Sequence, residues 1–200
     1  MNALNSLFAA VVMLVAAPAA AQYSLDASGA CVDSSGNTGW NVGVRGPCGD
    51  FRNANLEGVD FSNLDLRGAR FDGAKLKGAA LQAADLRGAS LENADLSKAV
   101  LTGAKLNHAS LAGARLVGAH LEHALLTEAT LTGADVRNAC VFRTNFERAD
   151  LRTAVFSRNR AMVEGARFTQ ARVSIDTLPF AANELASLDV QVAAVELTSL

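Results

Sequence analysis

The sequence predicts an all-β solenoid, a chain wound into extended sides and regular corners. Three observations predict it. From Phe51 to Phe156 every fifth residue is Leu, Phe or Val, at 22 positions in succession. From Ala69 to Ala139 the residue two places earlier is Ala, fifteen times running. The second residue after each apolar position is Gly or Asn in 13 of the 22 units, as at Gly68, Gly88 and Asn93.

A period of five fits neither regular element. On an α-helix, five residues advance about 500°, so successive Leu would spiral around every side. On a strand, an odd period would throw them onto opposite faces. The chain must therefore bend once per unit. Ala-x-Leu is an extended in-out-in triplet. The next two residues make a corner, whose second position needs the positive φ that Gly and Asn tolerate.

The units Ala84-Asp85-Leu86-Arg87-Gly88 and Ala94-Asp95-Leu96-Ser97-Lys98 resemble the pentapeptide-repeat pattern, A-(D/N)-L-x-x. The resemblance covers residues 49–178. It implies a right-handed quadrilateral β-helix, with four units and so twenty residues per coil. Twenty-two units then give 5.5 coils, a rod of about 26 Å at strand spacing.

The segments outside the repeat each have their own signature. Residues 1–21 read as a signal peptide. Leu7 to Ala21 is an uncharged run, too short to span a bilayer, ending in Ala19-Ala20-Ala21. Met1 to Ser6 carries no Lys or Arg, so an uncleaved anchor is the alternative. Cleavage would start the mature chain near Gln22 and place it in the periplasm or outside the cell. Residues 22–48 form the N-terminal cap region. Cys31 and Cys48 flank a turn-rich stretch there, and an oxidising compartment would join them. Two free thiols are the other reading. Cys140 has no evident partner.

The repeat breaks at 157–165 and resumes at Ala166-Arg167-Phe168. The step from Phe156 to Phe168 is twelve residues, two units plus two, so a small bulge or loop is expected. Residues 179–200 form a C-terminal capping or dimerisation segment. Leu185, Leu188, Val192 and Val195 recur at helical spacing, which predicts a short helix. The alternation of Val190 and Val192 permits a strand instead.

Leu and Ala fill the interior, so function belongs to outward residues. The chain lacks G-x-S-x-G, H-E-x-x-H and a phosphate-binding glycine loop, so no enzyme and no cofactor are expected. The twenty-residue rule stacks His120 beside Cys140, with Glu122 and His123 nearby. A thiolate, imidazoles and a carboxylate could hold Zn²⁺, but solvated surface residues on a regular coil are the simpler reading, and no metal site is expected. The rule also lines up Asn55, Lys75, Asp95, Arg115 and Asp135 as a ladder of alternating charge. Some relatives in the resembling family imitate duplex DNA and act on gyrase, which needs an acidic rod. Residues 51–173 here carry 17 Lys/Arg against 13 Asp/Glu, a balance of +4. Arg137, Arg143, Arg148, Arg152, Arg158, Arg160, Arg167 and Arg172 are a candidate partner-binding patch for an anionic surface or a protein. The acidic tail, with Asp176, Glu184, Asp189 and Glu196, is an internal candidate for the same patch. The resulting expectation is an exported, non-catalytic scaffold, monomeric or dimeric through its C-terminal segment. Its partner is unidentified, and nucleic acid is not expected to be that partner.

Overall fold

A computed structural model describes residues 24–25, 31–32, 41–42, 47–157, 164–174 and 191–192. The extended triplet of each unit pairs in parallel with the triplet twenty residues on, giving four ladders around the coil. The first ladder runs Asp50, Arg70, Ser90, Ser110, Thr130, Asp150. The second starts at Asn55, the third at Asp60 and the fourth at Asp65. The chain is therefore a β-helix with four bent units per twenty-residue turn.

One unit shows how the backbone is satisfied. Ala84 N–H donates to Leu81 O across the corner at 3.1 Å. Asp85 N–H donates to Leu64 O in the preceding coil at 2.9 Å. Leu86 and Gly88 donate to Lys105 O and Asn107 O in the next coil at 2.7 and 3.0 Å. The fifth amide, Arg87 N–H, points outward and donates to Asp85 Oδ1 at 3.4 Å. The same contact recurs at Ser62 with Asp60, Ser97 with Asp95 and Glu147 with Asn145. Asp or Asn before the inward Leu thus caps the one amide that coil pairing leaves over.

The second corner residue has positive φ in every unit from Asn53 to Thr153. This includes Lys98, His108, His123, Glu128, Arg143, Arg148 and Thr153, where the sequence offers neither Gly nor Asn. Pairing with both neighbouring coils fixes the bend and overrides local preference.

The inward Leu and Ala form one continuous buried core from Phe51 to Val173. Each fully buried Leu contributes about 1.5–3 kcal/mol relative to exposure. Aromatics concentrate at the two ends. Phe51 stacks on Phe71 at 4.8 Å with Phe61 edge-on, and Phe146 stacks on Phe168 at 5.2 Å with Phe156 edge-on. Thr144 takes an inward Ala position, and its buried hydroxyl donates to Leu121 O at 2.7 Å.

The interruption adds two residues to the circuit. Asn145 pairs with Arg167 and Asp150 with Arg172, 22 residues apart instead of 20. The surplus of two agrees with the step read from the sequence, and residues 158–163 lie outside the described residues.

At the N-terminal end, β1 (Ser24–Leu25) pairs antiparallel with β2 (Cys31–Val32), and β3 (Asn41–Val42) pairs parallel with β4 (Gly49–Asp50). Cys31 and Cys48 form the expected disulfide, with Cα atoms 5.7 Å apart and both residues buried. Two further pairings join β5 (Asp135–Val136) to β6 (Val155–Phe156) and β7 (Arg172–Val173) to β8 (Gln191–Val192), both parallel. The last pairing corrects the C-terminal reading at Val192, which is strand and not helix. Leu185, Leu188 and Val195 lie outside the described residues, as does the segment 1–21. Parallel addition to Arg172–Val173 gives the last coil a partner for its open backbone edge, a local demand that a helix does not meet. β3 and β8 attach at opposite ends of the same first ladder.

Replacing Leu106, which is fully buried mid-rod, by Asp is expected to abolish the folded state. An unpaired carboxylate in this dry core costs several kcal/mol. Circular dichroism and thermal melting check it; a β-type spectrum with a near-normal melt would contradict this account of the core.

Candidate functional site

Outward positions flank the inward Leu, one before it and one after. The triplet directs both to the same side, so an Asp before and an Arg after can meet. Asp50–Arg52, Asp65–Arg67, Asp85–Arg87, Asp135–Arg137 and Asp150–Arg152 do so, with Nη2–Oδ2 separations of 2.6 to 2.7 Å. Each is two-pronged, Nε meeting the other oxygen. The hydrogen bond from the paired Arg is the main cause that holds the carboxyls of Asp50, Asp65, Asp135 and Asp150 below the ordinary range, against opposing burial. On the second ladder, the alternating charges act at longer range: Arg115 favours ionisation of both Asp95 and Asp135.

The structure brings part of the His/Cys set together. His120 and Cys140 are bridge partners on the third ladder. His120 Nδ1 lies 3.1 Å from Glu122 Oε1, and Thr102 Oγ1 donates to Glu122 Oε2 at 3.2 Å. Burial opposes ionisation of Glu122. Hydrogen bonds from its own backbone, His120 and Cys140 outweigh it and leave the carboxyl below its ordinary value. Burial pushes the Cys140 thiol up, and the Glu122 carboxylate adds to the shift against a bond from the Phe142 backbone. Burial and the neighbouring carboxylate thus both oppose the thiolate form of Cys140. His123 turns away around the corner, with its ring edge-on to Phe142 at 5.9 Å. Among the described residues no group of three His, Cys, Asp or Glu side chains is placed to hold a metal.

The arginine patch is contiguous in sequence and divided in space. Arg152 and Arg172 belong to the first ladder and share Asp150, at 2.6 and 3.6 Å. Arg137 belongs to the second ladder, held by Asp135. Arg143 follows the third ladder and lies over the Phe142 ring at 4.9 Å. Arg148 and Arg167 belong to the fourth, where Glu128 lies 3.4 Å from Arg148 and Glu147 lies 3.7 Å from Arg167. Arg158 and Arg160 lie outside the described residues.

One arrangement escaped the sequence reading. His108, Glu128, Arg148 and Gln170 stack along one corner in successive coils. His108 Nδ1 meets Glu128 at 3.3 Å, Arg148 Nη1 meets Glu128 at 3.4 Å, and Arg148 Nε donates to Gln170 at 3.0 Å. The signal was available: His108, Glu128 and Arg148 are twenty residues apart, and Gln170 follows after twenty-two.

The fold and its five-residue surface logic define a class, the β-solenoids built from short bent repeats. A family model described as pentapeptide repeats matches in eight copies, at residues 50–82, 79–116 and 104–141. The chain belongs to the pentapeptide-repeat family, whose members fold as right-handed β-helices. Similar solved structures include HetL, a pentapeptide repeat protein involved in heterocyst differentiation regulation from the cyanobacterium Nostoc sp. strain PCC 7120. It is 28% identical over 66% of this chain and 70% of its own, with a TM-score of 0.43. QnrB1, a plasmid-mediated fluoroquinolone resistance protein, is 22% identical over 67% and 75%, with a TM-score of 0.48. A pentapeptide repeat protein from the Arabidopsis thaliana thylakoid lumen is 26% identical over 73% and 83%, with a TM-score of 0.28. No curated protein matches the chain.

Two expectations follow from these electrostatics. A carboxyl whose folded pKa is depressed adds stability that is present above its unfolded pKa and is lost as pH falls through the folded one. Melting temperature should therefore change little from pH 5 to 7 through these pairs and fall below about pH 4. A melt that stays level to pH 2 would remove the Asp–Arg pairs from the stability account. Separately, Cys140 should label slowly with a thiol reagent at neutral pH, and Glu122→Gln should speed labelling several-fold by removing the charge that opposes the thiolate. Equal rates would refute the Glu122–Cys140 link.

Proposed function

We propose that this protein is an exported, non-catalytic scaffold, four-sided in cross-section, that acts by binding a macromolecular partner through its outer faces. The carrying observation is the interior. Inward positions from Phe51 to Phe156 are filled by packed Leu, Ala, Phe and Val, with Thr144 the polar exception, leaving the outside for recognition. Backbone pairing between coils holds the outward side chains at fixed intervals, so a partner meets a preorganised surface and little ordering entropy opposes binding. Export rests on the uncharged Leu7–Ala21 run and its Ala-rich end, together with a disulfide that suits an oxidising compartment. Among the described residues no helix is long and apolar enough to cross a membrane. The positive balance of the rod and its paired carboxylates weigh against imitation of a phosphate backbone.

Expression of the full chain in a bacterium with a secretory pathway tests this reading. The expected result is protein recovered outside the cytoplasm with an N-terminus near Gln22 and no effect on gyrase supercoiling. A cytoplasmic chain that retains residues 1–21 and inhibits supercoiling would overturn it.

A further inference from the structure

The corner residues with positive φ are not distributed evenly by type. Early coils mostly use Gly or Asn there. Later coils place long polar side chains at the two corners bordering the fourth ladder: His123 and Arg143 on one edge, His108, Glu128 and Arg148 on the other. Their φ values lie between 53° and 59°, a conformation that disfavours a Cβ relative to glycine. The backbone has no need of these side chains, since Gly88 or Gly103 makes the same turn.

The ladder between these edges is also unusual. It runs Lys105, Leu125, Asn145, Arg167. Leu125 is 39% exposed, one of two exposed large hydrophobics among the described residues with Val155 of the second ladder, at a position where most other units carry polar or charged groups. Farther down the same ladder, Asp65–Arg67 and Asp85–Arg87 are two-pronged pairs that satisfy themselves. Here the arginines are held loosely. Arg167 meets Glu147 at 3.7 Å, Arg148 meets Glu128 at 3.4 Å and Gln170 at 3.0 Å without a two-pronged carboxylate, and Arg143 rests on Phe142 with no carboxylate partner among the described residues. Guanidinium donors therefore remain open around an exposed leucine, with an aromatic ring at the border.

The geometry points to this upper part of the fourth face as a docking surface for an acidic, extended protein segment, with an apolar side chain set on Leu125 and carboxylates reaching Arg143, Arg148 and Arg167. The inference rests on the scaffold reading and names its face and its partner's chemistry. The charge supports the choice: Lys105 and three arginines stand against Glu128 and Glu147, with Glu164 in the column of Phe142 at the border. Arginine and aromatic side chains around a desolvated centre are also what protein-binding hot spots are built from. Coils are about 4.8 Å apart, so three steps match an extended segment of about four or five residues.

The test uses the purified protein and a fluorescein-labelled peptide of glutamates around one central leucine, read by anisotropy. Parallel titrations use the lysine counterpart, a short DNA duplex and anionic vesicles. The expected result is saturable binding of the glutamate peptide, weakened about tenfold or more in the Arg143→Gly, Arg148→Gly double variant. That variant should melt at an unchanged or higher temperature, because glycine relieves both corners. Arg67→Ala with Arg87→Ala should leave binding unchanged. The inference is overturned if the double variant binds as well as the original protein. It is also overturned if the Arg67 and Arg87 changes weaken binding equally, or if duplex or vesicles bind more tightly than the peptide. A lower melt with unaltered binding would assign these corners to structure alone. The readout is independent of export, so it can fail while the scaffold reading stands, and the reverse.

Discussion

The hydrogen bond from the inward Leu amide to the carbonyl nineteen residues on, as from Leu86 to Lys105 and from Leu106 to Leu125, is the contact from which the rest of the fold follows. Across the interruption the same bond spans twenty-one residues, from Leu151 to Arg172. It brings the coils together at strand spacing and turns a five-residue pattern into four ladders. An interior bounded by such closely stacked coils admits Leu, Ala and a few Phe, and little else. The strictness of the sequence follows from that narrowness. Leu is repeated because each coil must present the same width to the coil on either side. The surplus of two residues at the interruption is tolerated because it adds chain length between ladders without displacing an inward residue: Phe168 still stacks on Phe146.

Much of this was legible in the sequence because the governing constraint is periodic. The Leu and Ala columns, the bend in each unit and the two-residue surplus all follow from counting, while the Cys31–Cys48 pair rested on the turn-rich stretch between them and the expected compartment. Two kinds of feature were not legible. One is the C-terminal end, where Val192 satisfies either a helical or a strand pattern. The available backbone edge at Arg172–Val173 decides for strand there, and that edge is a tertiary fact. The other is the meaning of proximity. Eight arginines within 36 residues look like a patch in a linear reading. A solenoid turns through a quarter circuit every five residues, so neighbours in sequence face different ways. Contacts lie twenty residues off, and the reading that found His120 beside Cys140 used that offset where the arginine reading did not.

The candidate metal set illustrates the same limit at the level of chemistry. Register alone correctly placed His120 against Cys140. It could not foresee that Glu122 would be engaged by both His120 and Thr102, or that burial and a nearby carboxylate would oppose the thiolate form of Cys140. A thiol, an imidazole and a carboxylate within reach of one another make a metal site only if their lone pairs converge on an empty point. Here the Glu122 oxygens are occupied by His120 and Thr102, so the cluster closes on itself.

Surface charge on this rod is organised in the same self-closing way, and that bears on how such a protein can recognise anything. A two-pronged Asp–Arg pair presents a nearly neutral surface, and binding a partner there would first have to break it. Recognition is favoured where pairing is incomplete. The fold supplies this through its corners, which tolerate any side chain once coil pairing fixes their φ. A residue at a corner points away from the ladder, so it reaches groups in its own column more readily than an Asp in its own triplet. Arg143 and Arg148 are placed in that way, whereas Arg137 and Arg152 follow the inward residue directly and are captured by Asp135 and Asp150. The position of an arginine within the five-residue unit, more than the number of arginines, thus decides whether its charge is available to a partner.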